Sequence, residues 1–87
     1  MTIAIPFYNP GPSMLRAAVQ SVFAQTYHNW KLILVDDGST DGSLELALRV
    51  TDPRVSVVSD GQNRGLIARL NEIIELADGK YVARMDA

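Results

Sequence analysis

The chain has 87 residues, no cysteine and a net charge of −2, so it forms one small domain or part of a larger one, without disulfides or thiolate metal sites. A hydrophobic fraction of 47% favours a globular core over disorder, and the scattered charges lack the basic face of a nucleic-acid-binding protein. No apolar run approaches the ~20 residues that cross a bilayer, and the first residues do not resemble a signal peptide. We expect a cytoplasmic protein, or one at the inner face of the cell membrane.

The first half of the chain predicts a strand, a helix and a second strand. The apolar run 2–7 predicts the first strand, and the prolines and glycine that follow it predict a loop. Ser13 is expected to cap the next helix. Apolar residues recur on one face of that helix, namely Leu15, Ala18, Val19, Val22 and Phe23. The second strand is predicted at 30–35, where an uninterrupted apolar run indicates burial on both faces, as in a parallel sheet.

The second half continues the alternation. Thr40 or Asp41 is expected to cap a short helix, which ends before Asp52-Pro53 because a residue before proline avoids the helical region. The remaining elements are a third strand, a third helix and a fourth strand, predicted at 54–59, about 65–77 and 80–85. The order β-α-β-α-β-α-β predicts an α/β fold with a parallel sheet, right-handed crossovers and helices on both faces.

Two of the predicted strands end in aspartates. Asp36 and Asp37 follow the second strand, and Asp86 follows the fourth. The carboxyl ends of parallel strands share one edge of a sheet, where ligands bind, so these carboxylates are expected to face a common crevice. They suit a hard divalent cation, or the donor groups of a base and a ribose. His28 has no partner at metal-ligand spacing, so we interpret it as an exposed turn residue.

Five segments of the chain occur in a recognisable order and spacing. They are Ile5–Asn9, Ser21–Thr26, Val35–Asp41, Asn63–Gly65 with Ala68–Asn71, and Ala77–Ala87. Together they resemble the family 2 glycosyltransferases, nucleotide-sugar enzymes with the GT-A fold. The resemblance covers all 87 residues and implies a three-layer α/β/α Rossmann-like fold. It also implies that the fold is truncated after the fourth strand, so that residues 1–87 are the N-terminal nucleotide-sugar-binding part and the acceptor half lies beyond Ala87.

The resemblance implies a nucleotide-binding role for four residues near the first two strands. Pro6 and Tyr8 would line the pocket of the base. Asp37 would accept the N–H group of a uracil, and Asp36 would support the loop after the second strand.

It also implies roles toward the diphosphate and a metal. Arg69, inside the third helix, would reach the base or the diphosphate. Arg64, near the start of that helix, would assist, together with backbone amides that attract anions. Asp86 would contact the ribose or hold Mg²⁺ or Mn²⁺.

The implied reaction is metal-assisted transfer of a sugar, with inversion, from a nucleotide-diphosphate donor such as a UDP-sugar. The acceptor would be a saccharide or a lipid-linked molecule, as in cell-surface polysaccharide biosynthesis. The general base is expected beyond Ala87. The isolated segment would therefore bind nucleotide but transfer no sugar.

Simpler interpretations exist for the same residues. Asp36-Asp37 is also typical of a turn that caps the next helix. Arg69 could be a solvated helix residue. Trp30 is best explained by packing, and Tyr8 by a mixture of packing and binding.

Two other classes of protein share parts of this pattern. A receiver-type signalling domain also has a parallel sheet, an acidic pair and a bound Mg²⁺, with Asp60 as a loose candidate for its phosphoacceptor. A nucleotide-binding module without catalysis is the other alternative. For a glycosyltransferase truncated after the fourth strand, the unpaired edge of that strand is expected to favour a homo-oligomer.

Overall fold

The structure is a computed structural model that describes residues 2–26, 29–76 and 82–84. Strands and helices alternate as the sequence predicts. In chain order they are β1 (Thr2–Phe7), α1 (Pro12–Phe23), β2 (Lys31–Asp36), α2 (Ser43–Leu48), β3 (Val55–Ser59), α3 (Leu66–Leu76) and β4 (Val82–Arg84). The boundaries of β1, β2, β3 and α3 agree with the predicted ones to within one residue. The predicted flanks of β4 lie outside the described residues, as do His28 and Asp86.

The strands form one parallel sheet in the order β3-β2-β1-β4. Ile3 of β1 lies beside Leu32 of β2 on one side and beside Ala83 of β4 on the other. The chain therefore runs outward from β1 to β3 and then returns to the opposite side of β1. This confirms the predicted parallel sheet and places the fourth strand beside the first.

Helices cover both faces of the sheet. On one face Leu15 and Val22 of α1 pack with Ile5 and Leu34, and α2 joins the same cluster through Ala47. On the other face, Ile73 of α3 packs against the sheet in a second cluster. Right-handed crossovers explain the division, because reversing the direction along the sheet moves the connecting helix to the opposite face. The residues of β2 contribute to both clusters, which confirms that this strand is buried on two sides.

The predicted helix caps are wrong by one or two residues. Helix α1 begins at Pro12 and is capped by Gly11, whose φ of 91° lies in the left-handed region that favours glycine. Proline suits the first helical position because its fixed φ is already helical and its missing N–H is not needed there. Helix α2 is capped by Gly42 rather than by Thr40 or Asp41.

An aromatic cluster packs at the amino ends of the strands, opposite their carboxyl ends. Trp30 is only 2% exposed, and the ring of Phe23 meets its indole edge-on with 5.1 Å between ring centroids. The guanidinium of Arg54 lies 3.9 Å above the indole ring and is itself held by the Asp52 carboxylate. The interpretation of Trp30 as a packing residue is confirmed.

The edge strands and the helices bear on contacts with other chains and with a membrane. Within the described residues, β3 and β4 form the two edges of the sheet. Self-association through the outer side of β4 stays a prediction. None of the helices in the described ranges has the length and apolar character needed to cross a membrane.

Candidate functional site

The sheet topology predicts a ligand-binding crevice at the carboxyl end of β1. In an open α/β sheet, ligands bind outside the carboxyl ends of the strands where the strand order reverses, and here it reverses between β1 and β4. Pro6 is buried in β1 beside Val35 of β2. Tyr8 follows directly and is 53% exposed. Asp86 lies outside the described residues.

Asp36 holds the loop after β2 against the end of β3. The residue is 1% exposed. One carboxylate oxygen, Oδ1, accepts a hydrogen bond from the Ser39 amide at 2.9 Å. The other, Oδ2, accepts one from the Ser59 hydroxyl, also at 2.9 Å. Asp36 thus joins the loop after β2 to β3, and its part in nucleotide binding stays a prediction.

Asp37 ties the end of β2 to the start of α3. Its Oδ1 accepts a hydrogen bond from the Arg64 amide at 2.8 Å and another from Arg69 Nε at 2.7 Å. Its Oδ2 accepts one from the Gly65 amide at 3.1 Å. Burial by itself raises the pKa of Asp37, but these donors outweigh it and hold that pKa below its usual value. Asp37 is therefore an ionised carboxylate at the edge of the crevice.

Arg69 is enclosed by acceptors of the protein. The residue is 1% exposed. Besides Asp37 Oδ1, it donates from Nη2 to Asp60 Oδ1 at 2.9 Å and to the Gln62 carbonyl at 2.6 Å, and from Nη1 to Glu72 Oε2 at 3.0 Å. The Asp60 carboxylate is the main cause of its raised pKa, which burial opposes.

Arg69 is a buried residue of α3. The view that it is a solvated helix residue is wrong, because the guanidinium is buried among carboxylates. Direct contact with a nucleotide stays a prediction. In this arrangement the N–H groups of Arg69 already point at protein acceptors.

Arg64 occupies the solvent side of the same cluster. Its side chain is 48% exposed, and its Nε lies 2.9 Å from Asp60 Oδ2. The hydrogen bond from Arg69 is the main reason that the pKa of Asp60 falls to about 2. Asp60 is therefore a paired carboxylate. Arg64, unlike Arg69, presents its charge to solvent.

A set of hydrogen bonds also clamps the loop after β1 to the loop after β2, and sequence reasoning missed it. The Gly11 amide donates to Asp41 Oδ2 at 2.8 Å. The Asn9 amide donates to Ser39 Oγ at 3.0 Å, and Asn9 Oδ1 accepts from the Thr40 amide at 2.7 Å. Asn9 adopts a positive φ of 48°, which asparagine tolerates better than most residues. The asparagine after Tyr8 was the available signal, although its partners lie about thirty residues away along the chain.

These clamps place a carboxylate at the start of each helix that faces the crevice. Asp41 accepts from Gly11, the cap of α1, and from Ser43, the first residue of α2. Asp37 accepts from the two residues that precede α3. Asp37 therefore occupies these two amides in this structure, and the sharing of a diphosphate between cations and backbone amides stays a prediction. A phosphate there would meet a carboxylate.

The carboxylates of the Arg69 cluster do not fit a divalent cation. Asp37, Asp60 and Glu72 converge, but the guanidinium of Arg69 lies between them. Within 2–26, 29–76 and 82–84, no group of three or more histidine or acidic side chains could hold a metal ion. The predicted metal ligand Asp86 is not among these residues.

Comparison with known proteins identifies the family. The sequence model of the glycosyl transferase family 2 matches residues 2–87. The chain belongs to this family. The chain is 39% identical to the putative glycosyltransferase EpsE of Bacillus subtilis over 83% of its own length and 27% of EpsE. It is 30% identical to the UDP-Glc:alpha-D-GlcNAc-diphosphoundecaprenol beta-1,3-glucosyltransferase WfgD of Escherichia coli, over its whole length and 34% of WfgD.

A solved structure shows the same fold. It is a mannosyltransferase from Pyrobaculum calidifontis in complex with GDP-Man and Mn²⁺, with a TM-score of 0.85 and 26% identity. The alignment covers 98% of this chain and 26% of the mannosyltransferase. The GT-A expectation is confirmed, and the receiver-domain alternative is excluded. The chain spans about a quarter to a third of the length of these three proteins.

The contact between the loops after β2 and β3 can be tested at Gly38. A Cβ atom on Gly38, at a φ of +82°, would lie 2.9 Å from the Gln62 carbonyl carbon. We expect Gly38→Ala to lower the free energy of unfolding by about 2 kcal/mol or more, through backbone strain and this contact. Gly61→Ala is the matched control, because Gly61 has a similar φ of +73° and open space around it. Urea unfolding should show a loss of about 1 kcal/mol for the control. Equal losses would contradict the close approach.

The ionised state of Asp60 predicts an acid-sensitive fold. The pKa of Asp60 falls to about 2 in the folded protein, below the ~3.9 of an unfolded chain. Its contribution to stability is therefore complete above about pH 4 and is lost as pH falls toward 2. Wild type should be more stable than Asp60→Asn at pH 7, and the difference should shrink once the pH falls below about 4. A difference that stays constant between pH 7 and pH 3 in denaturant titrations would contradict this.

Proposed function

We propose that residues 1–87 form the nucleotide-sugar-binding part of a glycosyltransferase that transfers a sugar from a nucleotide-diphosphate donor to an acceptor hydroxyl. The observation that carries the proposal is the ionised, nearly buried carboxylate of Asp37 beside the crevice at the end of β1. Its orientation is fixed by hydrogen bonds from Arg64, Gly65 and Arg69. A preorganised acceptor of this kind suits the N–H group of a nucleobase.

The base pocket is proposed to lie between the ends of β1 and β2. Asp37 accepts the base N–H, and Pro6 and Tyr8 line the pocket. The exposed ring of Tyr8 offers an apolar surface to a base or ribose. Asp36 acts indirectly, by holding the loop after β2. We propose a UDP-sugar as donor, in keeping with the UDP-glucose named for WfgD.

The charges around the crevice indicate that a bound diphosphate needs added cations to neutralise it. Asp37 and Asp41 already lie at the starts of the three helices, so the diphosphate needs positive charge from elsewhere. Arg64 supplies one cation at the rim. We propose that Asp86 holds Mg²⁺ or Mn²⁺, and the mannosyltransferase structure was obtained with Mn²⁺. The chemistry that such an ion supplies is neutralisation of the charge that develops on the leaving diphosphate.

The proposed reaction is a single displacement with inversion. An acceptor hydroxyl attacks the anomeric carbon from the face opposite the diphosphate, and a carboxylate beyond Ala87 takes its proton. The acceptor is a saccharide or a lipid-linked molecule, as the name of WfgD states for that enzyme. The proposed setting is cell-surface polysaccharide biosynthesis.

The base contact can be tested by titration with UDP in the full-length protein. Asp37→Asn replaces an acceptor oxygen by an amide group, so we expect the dissociation constant of UDP to rise about tenfold or more. Asp52→Asn is the matched control. Asp52 is also a paired carboxylate with a pKa lowered to about 2 by Arg54. It lies at the amino ends of the strands, away from the proposed base pocket. Calorimetry should show control affinity equal to wild type. Equal loss in both variants would mean a general effect on folding.

Transfer itself can be tested with a UDP-sugar and Mn²⁺. Removal of the metal with a chelator should lower the rate of the full-length protein by about a hundredfold or more, and NMR should show an inverted product. The 87-residue segment alone should bind UDP without transferring sugar. Undiminished transfer in chelator would contradict the metal dependence. Transfer by the segment alone would contradict the location of the base.

A further inference from the structure

The Arg69 cluster limits what Asp37 can still bind. An ionised carboxylate offers about four acceptor positions, two on each oxygen. Asp37 Oδ1 already receives the Arg64 amide and Arg69 Nε, at 2.8 and 2.7 Å. Oδ2 receives the Gly65 amide at 3.1 Å. Among the described residues, only Oδ2 therefore has a free acceptor position, and it can take one further donor.

Arg69 is fixed in this position by three residues other than Asp37. Asp60 and Glu72 receive its Nη2 and Nη1 groups at 2.9 and 3.0 Å, and the Gln62 carbonyl receives Nη2 at 2.6 Å. A guanidinium is planar and rigid, so acceptors on both terminal nitrogens also set the direction of Nε. Rotation of Arg69 away from Asp37 would break at least three hydrogen bonds of a buried cation. The occupied state of Oδ1 is thus built into the fold.

We propose that Arg69, held by Asp60 and Glu72, is a positioning residue that makes the site selective for a base with a single N–H donor. The inference rests on the proposed contact between Asp37 and the nucleobase. It assigns the two acidic residues a part in specificity, although neither touches the ligand. The ligand class is a uridine diphosphate rather than a guanosine diphosphate.

The chemistry of the two bases gives the selectivity. Uracil presents one N–H between two carbonyl oxygens, and that N–H matches the open position on Oδ2. The neighbouring uracil oxygen faces Oδ1, whose charge two donors already offset. Guanine presents N1–H and an amino group side by side, a pair that suits both oxygens of a free carboxylate. Here the second donor of guanine would be buried against a filled Oδ1 and left unpaired, which is costly.

The test measures the dissociation constants of UDP and GDP for the full-length protein, each with the same concentration of Mn²⁺. Wild type should bind UDP about tenfold or more tightly than GDP. Arg69→Met frees Oδ1, so it should lower the ratio of the two constants severalfold, chiefly by improving GDP binding. A purely structural role for Arg69 would weaken both nucleotides together and leave the ratio unchanged.

Two further variants keep the test decisive. Asp60→Asn combined with Arg69→Met removes a positive and a negative charge together, which keeps the net charge of the cluster unchanged. It should change the ratio as Arg69→Met does. Glu75→Gln is the control, because Glu75 is an exposed acidic residue of the same helix. It should keep the wild-type ratio, and thermal melting reports whether each variant folds.

The outcomes separate this inference from the proposed function. If wild type binds GDP as tightly as UDP while Asp37→Asn weakens both, the inference fails and the proposed function stands. An unchanged ratio in folded Arg69 variants also overturns the inference. If wild type binds neither nucleotide, the proposed function itself fails. Should neither Arg69 variant fold, a wild-type ratio near one still overturns the inference.

Discussion

The buried ion pair between Asp37 and Arg69 is the interaction on which the rest of the site depends. It joins the end of β2 to α3, and the two elements lie in different layers of the fold. Removing one partner of such a pair typically costs about 3–5 kcal/mol, because the other charge is left buried and uncompensated. Asp37 gains two backbone amides and Arg69 gains two more carboxylates, so neither charge lacks partners. The pair therefore fixes the loop after β2, the start of α3 and the orientation of the Asp37 carboxylate.

A second set of contacts gives the crevice its rigidity. Asn9 and Asp41 tie the loops after β1 and β2 together through backbone amides. Asp36 ties the second of these loops to β3. Hydrogen bonds between side chains and backbone amides join the first two loops, and a bond between the Asp36 and Ser59 side chains holds the second loop against β3. Ligand-binding loops on a rigid sheet are the common arrangement in α/β proteins.

The same carboxylates decide the electrostatic character of the crevice. Helix starts attract anions through their unpaired amides and the helix dipole, and many phosphate sites use this attraction. Here Asp37 and Asp41 take up amides at all three starts. A diphosphate bound at this edge therefore depends on added cations. That requirement connects the fold directly to the exposed charge of Arg64 and to the proposed metal.

The sequence by itself determined the order of elements, the parallel sheet and the family. The Leu-Ile-Leu-Val run of β2 is apolar on both faces, a pattern typical of a strand buried in a parallel sheet. Local signals also placed Asp36 and Asp37 at the end of that strand. The helix caps were misplaced because polar residues near a helix start are the usual capping signal. Here the caps are instead Gly11 and Gly42, both with a positive φ.

Only the tertiary structure decided which groups the site residues meet. Arg69 is 32 residues from Asp37 along the chain, and nothing local marks it as buried rather than solvated. The partners Asp60 and Glu72 look like ordinary surface acids in the sequence, and Asn9 looks like an ordinary loop residue. Hydrogen-bond partners across loops depend on how the layers pack, and packing is a property of the whole chain. The pattern of apolar residues encodes the layers, whereas the contacts between polar groups exist only once the layers are in place.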